Sequence, residues 1–101
     1  MTTTRDFLRR RGYTCAYCGS IATQRDHLIP KNAARRRPRA AAERENEKYQ
    51  VPTCHGCNIA KGSLLRVPTK LAHLIPELEE ITGSVFGTFD GTAADLRRVL
   101  L

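Results

Sequence analysis

The hydrophobic pattern along the chain predicts short elements joined by polar runs. Phe7 and Leu8 form the apolar face of an otherwise basic segment, which predicts a short helix capped by Thr3 or Thr4 and stopped by Gly12. "YTCAYCGS" reads as a tight turn between short extended pieces. "ATQRDHLIP" predicts a strand closed by Pro30, which cannot continue a ladder. A long polar connection follows, "KNAARRRPRAAAERENEKYQ", whose Ala- and Glu-rich stretch from Pro38, with Arg39 and Glu43 at i, i+4, predicts a short helix inside the loop. "YQVPT" returns as a second strand, and "CNIAKGSLL" fits a helix beginning near Asn58. The remainder carries helical periodicity interrupted by Pro76 and Gly83, and Thr92 with Asp95 starts a last helix in the manner of a capping box.

Composition changes that picture in two ways. The chain has 101 residues, 41% hydrophobic and 27% charged, which fits one globular domain over 1–101 with neither repeat nor Gly/Ser linker. Three Phe, three Tyr and no Trp limit the core, so a covalent or metal staple would help a domain of this size. No apolar run approaches the roughly 18 residues of a membrane span. The first residues lack the apolar stretch of a secretory signal. A cytoplasmic protein is therefore expected, and in a reducing compartment cysteine pairs more often bind metal than form disulfides.

The staple is visible. Cys15-x2-Cys18 and Cys54-x2-Cys57 form two turns, each tight enough to aim two sulfurs at one point. Together they supply a closed tetrahedral thiolate shell for one structural Zn²⁺. The alternatives are four buried free thiols or two disulfides. Zinc would tie the turn before "RDHLIP" to the start of the "NIAKG" helix, making one unit of strand, long loop, strand and helix. A zinc tetrathiolate carries −2, which brings the formal charge of +7 to +5. That balance favours polyanions, and nucleic acid is the commonest one in a cytoplasm.

Three stretches in order, "CAYCG", "RDHLIPKN" and "VPTCHGCNIAKGS", resemble the HNH endonucleases in their zinc-stapled form. The resemblance covers residues 13–63 and leaves 64–101 as a helical extension. It implies a small α+β domain of the ββα-metal fold and metal-dependent hydrolysis of a DNA phosphodiester. His27 is then the general base. Asp26 and Asn58 are then ligands of a catalytic Mg²⁺ or Mn²⁺, an ion that binds a phosphate oxygen and the leaving 3′ oxygen.

The residue types suit that chemistry. A neutral imidazole accepts a proton near pH 7, and two hard oxygen donors favour Mg²⁺ or Mn²⁺. Adjacent strand residues point to opposite faces, so Asp26 and His27 need a local twist to serve one site. Each residue also has a plainer reading. His27 could be an ordinary strand histidine, and Asn58 could be a helix cap. Lys61 could reach a phosphate or be merely solvated; His55 and His73 read as bystanders.

One position departs from the family pattern. The central Asn, which steadies the long loop, stands five positions before the third Cys, where this chain has Tyr49. Tyr49, Asn46 or Asn32 could supply the support, and Tyr49 could equally be a core residue. Arg35, Arg36, Arg37 and Arg39 lie in that loop and read as phosphate contacts or as a solvated face. Further basic clusters lie at Arg9–Arg11 and Arg97–Arg98. Two functions follow: a DNA endonuclease, or a zinc-ribbon nucleic-acid-binding module without catalysis. A protein-interaction module is a third.

Overall fold

The structure is a computed structural model that describes residues 3–89. The first element is helix α1, Thr4–Arg11, capped by the Thr3 hydroxyl, which accepts from the Asp6 amide. It buries Phe7 and Leu8 and ends at Gly12, whose φ of +104° a side chain would resist. Phe7 is fully buried with Leu8 and Ala22 in a small satellite cluster. The guanidinium groups of Arg11 and Arg25 stand 5.2 and 5.3 Å from its ring centre.

Strands β1, Gln24–His27, and β2, Gln50–Thr53, form an antiparallel pair in which Asp26 faces Val51 and His27 faces Gln50. Every β2 residue is buried. The other edge of β2 is used as well, because the Pro52 carbonyl accepts from the Ala16 amide of the first cysteine turn. Proline's missing donor is tolerated on such an irregular edge.

The long connection holds two helices where the pattern predicts one. Helices α2, Lys31–Arg36, and α3, Pro38–Arg44, meet at Arg37, whose extended backbone is what a following proline requires. Buried Ala33 and Ala40 give α2 and α3 only small inward side chains. A 3-10 turn, Glu47–Tyr49, then leads into β2.

Helix α4, His55–Lys61, begins three residues earlier than expected. Its cap is Cys54, so Asn58 lies inside the helix and the capping reading of Asn58 is corrected. The segment after it is not purely helical. Strand β3, Arg66–Val67, pairs in parallel with β4, Gly87–Thr88. Between them a 3-10 stretch, Thr69–Leu74, carries exposed His73 and passes into α5, Ile75–Thr82. Pro76 opens α5 rather than interrupting it, as a first-turn proline can. Gly83 closes it in the left-handed conformation.

Leu28, Ile29, Val51, Val67, Leu78, Ile81 and Phe86 join the cysteine turns in one core. The result is a small α+β fold with a short antiparallel sheet. Among the described residues no helix is long and apolar enough to cross a membrane. The expected helix from Thr92 and the Arg97–Arg98 cluster lie outside the described residues.

Candidate metal and nucleic-acid site

The two cysteine turns converge. All four Sγ atoms lie within 4.8 Å of one another, and Cys18 and Cys54 are 3.7 Å apart. A tetrahedral zinc with bonds of about 2.3 Å needs sulfurs about 3.8 Å apart. Four sulfurs around one point fit a single four-coordinate ion, whereas two disulfides would draw them together in pairs. Gly19, at φ +79°, lets the first turn close, with its amide on the Cys15 carbonyl. The second turn is the start of α4, where the Cys54 sulfur accepts from the Cys57 amide.

The sulfurs differ in acidity. Burial pushes the Cys15 thiol up, but the Cys18, Cys54 and Tyr17 amides and the Thr53 hydroxyl outweigh it and bring it to about 6. At Cys54 burial is likewise outweighed, chiefly by the Cys57 amide and Ser20. Cys57, the most enclosed, goes up through burial and the neighbouring cysteines. Two thiols are thus held ready to ionise, the state that a metal requires.

Beside this cluster, one pocket of about 470 Å³ is lined by Asp26, His27 and Asn58 together with Arg25, Lys31, Asn32, Arg35 and Arg44. His27 is half-buried. Burial first, and then the Arg44 guanidinium, lower its pKa, so the ring is neutral at pH 7. Asn58 donates from Nδ2 to the Gln24 Oε1 at 2.7 Å, which leaves its Oδ1, a hard donor, for the pocket. An oxygen from Asp26 and one from Asn58 fit the preference of Mg²⁺ or Mn²⁺.

Asp26 is only 4% exposed and already has two partners. The Tyr17 hydroxyl donates to its Oδ2 at 2.7 Å, and the Lys61 ammonium lies 3.4 Å from Oδ1 and 3.3 Å from Oδ2. Burial, and then the Asp26 charge, push the Tyr17 phenol well above its ordinary range, which keeps it a donor. Lys61 is the clearest correction to the sequence reading. It is 1% exposed and also donates to the His27 carbonyl, so neither the phosphate contact nor the solvated lysine describes it.

A stability prediction follows. Lys61→Met leaves a buried carboxylate without its cation, which costs about 3–5 kcal/mol. In a domain of this size that is a fall in melting temperature of roughly 10 °C or more. Adding Asp26→Asn should recover part of the loss, and a single variant that melts with wild type would show the pair to be idle.

The loop is held by a residue that the sequence reading passed over. Gln50, 1% exposed and opposite His27, donates from Nε2 to the Arg44 carbonyl at 3.0 Å, joining the end of α3 to β2. Arg11 adds contacts to the Glu47 and Gln50 carbonyls, and Arg10 grips the Glu47 carboxylate with both terminal nitrogens. Asn46 caps the 3-10 turn through the Lys48 amide. Among the described residues Asn32 bonds within its own neighbourhood, at Ala33 and Arg36. Tyr49 is buried with its ring under Lys48, and burial, then the Glu77 carboxylate, raise its phenol. It belongs to the core, and the clue to Gln50 was a second amide one residue further on.

The loop arginines divide. Arg35 lines the pocket, joined by Arg25, Lys31 and Arg44, which the sequence reading had not singled out. Arg36 is exposed with Nε on the Asn32 carbonyl. Arg37 lies so close over Gly83 that a Cβ there would collide with its guanidinium. Arg39 pairs with Glu80 at 3.4 Å on the surface.

Compared with known proteins, the chain matches no family model, no curated protein and no solved structure.

Proposed function

We propose that the protein is a metal-dependent DNA endonuclease. The observation that carries the reading is that the neighbours Asp26 and His27 on β1 and the sequence-distant Asn58 on α4 line one pocket rimmed by Arg25, Lys31, Arg35 and Arg44. The HNH resemblance of residues 13–63 supports the same assignment. In this mechanism the cationic rim draws a phosphodiester in and holds it. Neutral His27 takes the proton of the attacking water. Asp26 and Asn58 would hold Mg²⁺ or Mn²⁺, which would supply Lewis-acid charge stabilisation to the reaction. Tyr17 and Lys61 fix the Asp26 carboxylate, and Gln50 fixes the strand position opposite His27.

A second reading, a zinc-ribbon nucleic-acid-binding module without catalysis, is favoured by one observation: both Asp26 oxygens already have partners. The deciding experiment is incubation of zinc-loaded protein with supercoiled plasmid and Mg²⁺ or Mn²⁺. Nicked or linear product that disappears with a chelator too weak to strip the thiolate zinc supports the nuclease. Binding without cleavage supports the module.

The rim makes a separate prediction. Arg35→Ala should lower the slope of log affinity against log salt by about 0.9, the value of one released counterion. Arg39→Ala, whose charge is engaged with Glu80 on the surface, should leave that slope unchanged. Equal slopes for all three proteins would remove Arg35 from the interface.

A further inference from the structure

We infer that His55, acting through Gln24, determines which end of the Asn58 side chain faces the pocket. The inference rests on the metal reading above. Three side chains form a line: the Asn58 Nδ2 donates to the Gln24 Oε1 at 2.7 Å, and the Gln24 Nε2 lies 2.7 Å from the His55 Nδ1. His55 and Asn58 are three residues apart on α4, so both reach the same side of the helix and meet Gln24 at the start of β1. Gln24 bridges the two elements.

A carboxamide has one donating and one accepting end. For the Gln24 Oε1 to accept from Asn58, its Nε2 must donate to the imidazole, so the His55 Nδ1 is an acceptor and the ring proton sits on Nε2. The sense of the whole line is then fixed. Were Gln24 turned round, Asn58 would have to turn as well and present an NH₂ to the pocket. A cation takes an oxygen and is repelled by an N–H. His55 and Gln24 are therefore positioning residues for Asn58, as partners behind a metal ligand commonly are.

The test is Mn²⁺ binding to zinc-loaded protein without DNA, followed by the loss of the free-ion paramagnetic resonance signal. His55→Phe and Gln24→Leu are each made in the natural chain and in an Asn58→Asp background. Asp at 58 offers oxygen from either end, so its orientation no longer matters. In the natural background each variant should weaken Mn²⁺ binding by roughly 10- to 100-fold, the usual effect of removing such a partner. In the Asn58→Asp background the effect should shrink to about twofold or less. Zinc content and circular dichroism establish that each variant is folded. Because His55 stands between two zinc-binding cysteines, Gln24→Leu gives the result should His55→Phe lose zinc. Wild-type binding that neither variant weakens overturns the inference, and so does a loss that persists undiminished with Asp at 58. A wild-type protein that takes up no Mn²⁺ overturns the metal reading itself.

Discussion

Cys54→Ser is expected to yield protein without zinc and without cooperative melting. Cys54 has two tasks, since its sulfur belongs to the four-cysteine cluster and also caps α4. Structural zinc in small modules contributes on the order of 10 kcal/mol at neutral pH. That equals the whole stability of an ordinary domain, roughly 5–15 kcal/mol. A serine hydroxyl could still cap the helix, so loss of the cap alone would cost little. Collapse would therefore report the metal. Cys15→Ser, which touches no helix cap, should fail equally. The measurement is circular dichroism against temperature with zinc content on the same samples. Native melting without zinc would show that the core of Leu28, Val51, Leu78 and Phe86 stands by itself.

The second large effect is catalytic. His27→Ala should lower plasmid cleavage by roughly 10²–10⁴, the contribution of a positioned base, while DNA binding persists. The pH dependence has a definite sign. Burial and Arg44 depress the His27 pKa below the ordinary 6.5, so the neutral, proton-accepting form survives to lower pH. Wild-type cleavage should then rise with pH and level off below the ordinary imidazole value. Stability follows the same shift. The unfolded chain binds the proton more readily than the folded one, so the contribution is full above pH 6.5 and is lost as pH falls through the depressed value. The matched change at the neighbouring position is Asp26→Asn, which keeps an oxygen acceptor for the buried Lys61 ammonium where alanine would leave none. If His27→Ala cleaves as fast as wild type, His27 is an ordinary strand histidine.

Local rules made part of this molecule legible in the sequence. Paired cysteine spacing announced the cluster, Thr3 and Gly12 bounded α1, and Pro30 and the "YQVPT" stretch bracketed the two strands. Elements that depend on distant partners were hidden. Helix α2 buries only Ala33, so no apolar period marks it. Strands β3 and β4 are two residues each and exist because each finds the other. Lys61 reads as a phosphate contact or a solvated side chain because lysine is seldom buried, and only the placement of Asp26 and Tyr17 makes a buried ammonium tolerable. Gln50 and the line from His55 through Gln24 escaped for a similar reason. Their roles lie in hydrogen bonds across 6, 31 and 34 residues.

The separation of the two cysteine turns also bears on how the protein is made. Cys18 and Cys54 are 36 residues apart in the chain. Ribosomes add roughly 5–20 residues per second, so the first pair of thiols waits about 2–7 seconds for the second. During that interval the nascent chain holds a half-site of two sulfurs, which cannot enclose a tetrahedral ion. Neither β2 nor α4 yet exists to cover β1, and Leu28 and Ile29 remain uncovered. An ion that needs all four sulfurs can be enclosed only after Cys57 has been made, so closure of the cluster is a late event of synthesis.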